Sequence, residues 1–230
     1  MSKSNPLGIR LIDNNYLVRR RSLEAHRKFS KKYARGRLLD IGCGEKPMKA
    51  FFADTVSEHI GLDHERSIHG LDNVDVIGTA YDTKQPDCSF DTVLCTTVFE
   101  HLEEPEKALR EAFRVLKPGG YAIYSVPLFW HLHEEPRDFY RYTKHGLRYL
   151  FEKVGFEITV LHPCGGFWVT WGSMLNYYLK AYARGPFKYI VNAIKILNNL
   201  ICLKFDHWHK VEKFTWMYIV ITQKPESEIE

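Results

Sequence analysis

Short apolar runs and segments of helical period alternate along most of this chain. "GRLLDIGCG" (36–44), "HIGLDH" (59–64), "VDVIG" (74–78), "FDTVLCTT" (90–97) and "GYAIYSV" (120–126) are brief apolar runs that suit buried strands of a parallel sheet. Between them, "PEKALREAFRVL" (105–116) sets Leu109, Ala112, Phe113 and Leu116 on one helical face, with Pro105 near its start and "KPGG" as its stop. "TKHGLRYLFEKVGF" (143–156) has Thr143 as N-cap, a stripe of Leu147, Leu150, Phe151 and Val154, and Gly155 at its end. Two more strands follow, "FEITVLHP" (156–163) and "TWMYIVITQKP" (215–225). Strands alternating with helices predict an α/β fold, a mostly parallel sheet with helices on both faces.

Composition narrows this little. With 230 residues, 45% hydrophobic and 26% charged, the chain suits one domain with an elaboration. The five cysteines form no CxxC pair, which points to reduced thiols and a cytoplasmic setting. "MSKSNPLGIRLID" lacks the apolar run of a signal peptide, and no uninterrupted apolar stretch is long enough to span a membrane. Net charge is a mild +4, but residues 19–37 carry nine Lys/Arg and one Glu. This basic arm could face an acidic partner, or be a solvated helix whose Ala25, Phe29 and Tyr33 pack inward.

In such sheets ligands bind beyond the carboxyl ends of the strands. The first strand ends "DIGCGEKP", where the third glycine of a dinucleotide-binding GxGxxG is Pro47. Asp40, two residues before Gly42, would repel a phosphate and favour a cationic ligand. Asp63 ends the second strand, where an acid suits two ribose hydroxyls. An adenosine ligand without phosphates fits both acids.

With this pairing the chain resembles the class I S-adenosylmethionine-dependent methyltransferases of the broad, type 11-like small-molecule branch. The resemblance rests on "LLDIGCG", "IGLDHE", "DVIGTAYD", "FDTVLCTTVFEHLEEPEKALREAFRVLKPGG" and "GFEITVL", in that order. It covers about residues 36–162 and the last strand at 215–224. It implies a Rossmann-like sheet of seven strands, the last one antiparallel and inserted beside the fifth, and S-adenosyl-L-methionine as cofactor. Gly42, Cys43 and Gly44 would cradle the cofactor, Asp40 would hold its amino end, and Asp63 would take the ribose. Thr79, Ala80 and Tyr81 would edge the adenine, with Asp82 or the backbone replacing the acid that many relatives carry at position 79. Thr96 and Thr97 would sit under the sulfonium. The third glycine of the family turn is replaced by Lys46, followed by Pro47, as in a subset of relatives. "Glu100-His101" would open the helix after the fourth strand, with His101 satisfied by backbone or lining the site.

"FWHLHEEPRDFYRYT" (129–143) follows the fifth strand, on the acceptor side. Its His131 and His133 at i, i+2, with Glu134, Glu135 and Asp138, match no compact metal signature, and methyl transfer from a sulfonium needs no metal. The expectation is therefore no metal. His133 is the general-base candidate, and His131, Glu135, Asp138, Tyr140 and Arg141 are acceptor contacts, with Arg141 able to grip an acidic group. Alternation of acids with Arg137 and Arg141 could also brace the loop.

Between the last two strands lies an insertion, 163–214, whose "FKYIVNAIKILNNLICLKF" is amphipathic. Ile190, Ala193, Ile194, Leu197, Leu200 and Ile201 share one face, and Lys188, Asn192, Lys195 and Asn199 the other. The segment could be a lid, a homodimer interface, or a peripheral membrane contact through 186–205 at the inner face of the membrane.

The expected organisation is a single domain, 1–230: basic helical arm 1–35, cofactor core 36–162, helical insertion 163–214, final strand 215–224. The expected activity is methyl transfer to oxygen or carbon of a small-molecule or glycan- or lipid-linked acceptor. A macromolecular acceptor is disfavoured: there is no aromatic-and-basic RNA module, and "CTTVFEH" stands where an amino-methylating "NPPY" would, so nucleic acid is not an expected partner. A non-catalytic relative would usually have lost the glycines or the ribose acid.

Overall fold

The computed structural model describes residues 8–226, so the start of the basic arm, 1–7, lies outside the described residues. Seven strands form one sheet in the order β3-β2-β1-β4-β5-β7-β6. They are β1 (Gly36–Ile41), β2 (Val56–Asp63), β3 (Val76–Ile77), β4 (Phe90–Thr96), β5 (Leu116–Pro127), β6 (Glu157–Pro163) and β7 (Met217–Gln223). β1 to β5 pair in parallel, and β7 runs antiparallel between β5 and β6.

Successive residues of the central strands point to opposite faces, as the pleat requires. On one face Leu39, Val93, Ala122, Tyr124 and Val220 pack with α4 (Pro105–Val115) and α5 (Lys144–Val154). On the other, Leu38, Leu94, Ile123, Ile219 and Ile221 pack with α1 (Tyr16–Ala25) and the short α3 (Lys49–Phe52). α1 continues through a π-helical turn, His26–Ser30, into α2 (Lys31–Tyr33). Ala25 is buried there and Phe29 and Tyr33 pack against the same core, so the basic arm is a helix with its apolar side inward.

Thr143 caps α5 as expected, its Oγ1 accepting from Gly146 N at 3.1 Å, and Gly155 ends it at φ +103°. Two boundaries move. Leu116 opens β5 rather than closing α4, because Lys117 precedes proline and is pushed out of helical conformation. Phe99–His101 is a separate 3-10 turn, and α4 begins only at Pro105.

The insertion folds as a hairpin of α6 (Phe167–Lys180) and α7 (Phe187–Trp208). Gly172 lets the helices close: a Cβ there would stand 2.6 Å from Cys202 Sγ. The two faces of α7 are those the periodicity predicts, but the polar one is inward except at its start, where Lys188 is exposed. Lys195, Asn198, Asn199 and Asp206 are buried, while Ile190, Ile194, Leu197 and Ile201 are exposed.

Candidate active site

Two cavities open at the carboxyl edge of the sheet, on either side of the end of β4: Thr96 and Thr97 line one, Val98 the other. The cavity beside Val98, of about 470 Å³, is walled by Gly42, Asp63, Thr79, Ala80 and Tyr81. Gly42 sits at φ +69°, and a Cβ there would strike Val98 Cγ2 at 2.4 Å, so only glycine fits this turn. The turn is not an anion nest. Gly42 N and Cys43 N both donate to Leu62 O (2.8 and 3.1 Å), and Gly44 N donates to Asp63 Oδ2 at 3.0 Å. With those three amides engaged, Gly42 to Gly44 offer no free backbone N–H to a pyrophosphate. Asp63 also accepts from His64 N and Ser67 Oγ, which fixes the carboxylate at the cavity wall. Burial pushes the Cys43 thiol up to about 12, so it is neutral and unreactive.

Lys46, in place of a third glycine, adopts φ +50° and reaches across β2 to pair with Asp75, which also accepts from Gly61 N at 2.7 Å. Gly61 is glycine for that reason: a Cβ would lie 2.1 Å from Lys46 Cε. Asp40 departs from expectation. It lines neither cavity, and its Oδ2 is 2.9 Å from His59 Nε2. Burial raises its pKa and His59 opposes that shift. Asp82 likewise lies off the cavity wall, paired with Lys84.

The second cavity, about 300 Å³, is lined by Thr96, Thr97, Glu100, Trp130, His133 and, from the π-helical turn, His26. Thr97 is β-branched yet sits at φ +52°, a conformation costing about 1–3 kcal/mol that the Thr97 N to Ser125 O bond (2.9 Å) holds in place. Glu100, His101 and His133 converge, with ligand atoms within 4.8 Å of one another. Glu100 Oε2, His101 Nε2 and His133 Nδ1 are buried without a hydrogen bond. His101 Nδ1 lies 2.6 Å from Arg137 O, which makes Nδ1 a donor, and its Nε2 lies 3.7 Å from Glu134 Oε2. Desolvation raises the Glu100 carboxyl to about 8, so it is protonated at neutral pH. Burial, reinforced by His101, lowers the pKa of His133, which is therefore neutral. The fold brings His133 together with Glu100 and His101, 4.7 Å ring to ring for the latter.

Of the acceptor-side candidates, only His133 lines this cavity. Arg141 grips Asp138 bidentately (2.6 and 2.9 Å) and spends its other donors on the carbonyls of Trp130, His131 and Tyr140, so no fork remains for an acidic acceptor. Asp138 in turn accepts from His133 N at 3.0 Å and stands 3.5 Å from its Nδ1. Arg141 holds the Asp138 carboxyl well below the usual carboxylate range. These two residues brace the loop. His131 is turned away against Tyr177, at 4.3 Å, and Tyr140 donates to Glu103 O, while Glu135 is exposed. His26 was hidden in the basic run. It is buried, its Nδ1 is 2.7 Å from Ser30 Oγ, and desolvation lowers it to about 4.

A glycine turn with its amides engaged, a fixed acid at the end of β2 and an acid–histidine cluster beyond β4 and β5 are compatible with a Rossmann-like methyltransferase site. Comparison with known proteins agrees. Residues 39–124 match the family model described as a methyltransferase domain. A probable S-adenosylmethionine-dependent methyltransferase of Mycolicibacterium smegmatis is 32% identical over 123 residues, 51% of this chain and 48% of its own length. A ubiquinone biosynthesis O-methyltransferase of Alkalilimnicola ehrlichii is 29% identical over 129 residues, 50% of this chain and 49% of its own. Among solved structures, a SAM-dependent methyltransferase of Thermotoga maritima is 29% identical with a TM-score of 0.51, over 64% of this chain and 77% of that one. Together these likenesses support a class I S-adenosylmethionine-dependent methyltransferase. The chain spans about half the length of the curated relatives it matches.

Proposed function

We propose that this protein transfers a methyl group from S-adenosylmethionine to oxygen or carbon of a small-molecule or glycan- or lipid-linked acceptor. The observation that carries the reading is the pairing of two cavities at one strand end, one phosphate-averse and acid-walled, the other lined by a neutral histidine. The residues present fit the cofactor. Asp63 would accept from the ribose hydroxyls, Thr79 to Tyr81 would edge the adenine, the Gly42–Gly44 turn would lie along the methionine portion, and Thr96 and Thr97 would face the methyl donor. When bound, that cofactor supplies a methyl group already activated by its sulfonium.

The chain's own task is alignment and proton handling. His133, neutral at pH 7, is suited to take the proton of an acceptor hydroxyl; His101 and the protonated Glu100 offer further contacts. Asp138, held by Arg141, keeps His133 in position. Relatives named as an O-methyltransferase of ubiquinone biosynthesis and a C-methyltransferase of ubiquinone/menaquinone biosynthesis support an oxygen or carbon acceptor without choosing between them. An acceptor screen read by mass spectrometry as conversion of S-adenosylmethionine to S-adenosylhomocysteine tests the proposal. Turnover with a hydroxylated or enolic acceptor supports it; tight cofactor binding without turnover on any acceptor class would favour a non-catalytic binder.

A further inference from the structure

We infer that the α6–α7 hairpin is an anionic-membrane contact, lying in the headgroup interface with its apolar side down. The inference is independent of the methyl-transfer reading, since docking needs neither cofactor nor acceptor.

Helix α7 is inverted relative to an ordinary surface helix. Its polar side is tied to the protein: Asn198 donates to Gly172 O and Asn176 Oδ1 (both 2.9 Å), and Asn199 donates to Leu11 O at 2.8 Å. Asp206 accepts from Gly166 N at 2.9 Å and pairs with Arg21 at 3.1 Å. These bonds keep α7 from rolling its apolar side inward. That side stays out, with Ile190 and Leu197 each 59% exposed and Trp208 66%. α6 adds its own exposed stripe, Trp171, Met174 and Tyr178, at helical spacing. Scattered exposed apolar residues are ordinary, but two contiguous helical stripes mark an interaction surface.

Charge selects the occupant. From 158 to 205 the chain has no Asp or Glu, yet it carries Lys180, Arg184, Lys188, Lys195 and Lys204. All of these cations but Lys195 are exposed. A second copy of this face would bring like charges together with no counter-charge, whereas anionic lipid supplies one. Lysines and aromatic rings bordering an apolar face suit the headgroup boundary. Among the described residues no helix is long and apolar enough to cross a membrane, so the contact is one of lying on the surface.

Flotation of the full chain with phosphatidylcholine vesicles, with and without phosphatidylglycerol, tests this. The protein should float with the anionic vesicles and much less with the neutral ones, and salt should weaken binding. Ile194→Glu with Leu197→Glu should abolish flotation while circular dichroism melting stays unchanged, as both side chains are exposed. Lys188→Ala and Lys204→Ala should each weaken anionic binding about fivefold, a readout that leaves the apolar face intact. Wild-type protein that stays unbound to anionic vesicles would overturn the inference. So would a stable dimer by light scattering that the double Glu variant converts to monomer without any vesicle binding.

Discussion

The two cavities at the carboxyl edge are built in different ways. The cofactor-side cavity is assembled from strand ends and the turns that follow them: Gly42 and Asp63 are fixed by backbone bonds to the neighbouring strand or its end, and Thr79 to Tyr81 by the turn that Thr79 closes with Asp82. The acceptor-side cavity draws on pieces far apart in sequence: His26 from a π-helical turn, Thr97 in a strained conformation, Glu100 and His133 from separate loops. The first is a product of the sheet. The second also draws on a loop that Asp138 and Arg141 brace. The difference separates the ways of damaging them: one set of substitutions should strike turnover alone, the other binding of the cofactor alone.

The largest expected effect is on turnover. His133→Ala should lower kcat by about 10²–10⁴-fold while cofactor affinity, measured by calorimetry, stays within a factor of about two. Because burial lowers the His133 pKa, the acid limb of the wild-type rate profile should fall below pH 6.5, the ordinary imidazole value, and should vanish in the variant. Equal loss of cofactor affinity would break the division between the cavities.

Next is the brace. Arg141→Ala leaves a buried carboxylate without its partner and should cost about 2–3 kcal/mol in urea unfolding, with turnover reduced and cofactor affinity kept. Unchanged stability would mean that the pair does not hold the loop.

A third effect is one of pH. The Glu100 pKa is raised by burial from 4.5 to about 8, so the native state binds more protons than the unfolded state across that window. Stability contributed by this site is therefore lost as pH rises from about 4.5 to about 8. Glu100→Gln cannot ionise and should flatten the decline in melting temperature over that range; an unchanged slope would place the titration elsewhere.

The same contrast explains what could be read from the chain. The glycine turn, the acid ending β2 and the alternation of strands and helices are local patterns, and the seven-stranded order with an antiparallel β7 follows from the family they point to. The acceptor side was legible only in part. His133 was identifiable by its place after β5, but its partners were not, because Glu100 and His101 meet it through the fold and not through spacing. Asp138 and Arg141 read as ligand contacts or as a brace for the loop, and the bidentate pair between them favours the brace. His26 carried no signal within a run of basic residues. Helix α7 makes the same point: a helical period reveals two faces, but Asn198, Asn199 and Asp206 decide which one turns inward.

The central claim is that the cavity walled by Gly42 and Asp63 holds S-adenosylmethionine, and cofactor binding tests it without knowledge of the acceptor. Titration calorimetry with S-adenosylmethionine and S-adenosylhomocysteine should give one site on the wild-type chain. Asp63→Ala should weaken it about 10–100-fold, since a buried carboxylate bonded to hydroxyls is lost. The His133→Ala site should bind like wild type. Absence of binding to the wild-type chain, or binding indifferent to Asp63, would contradict the account.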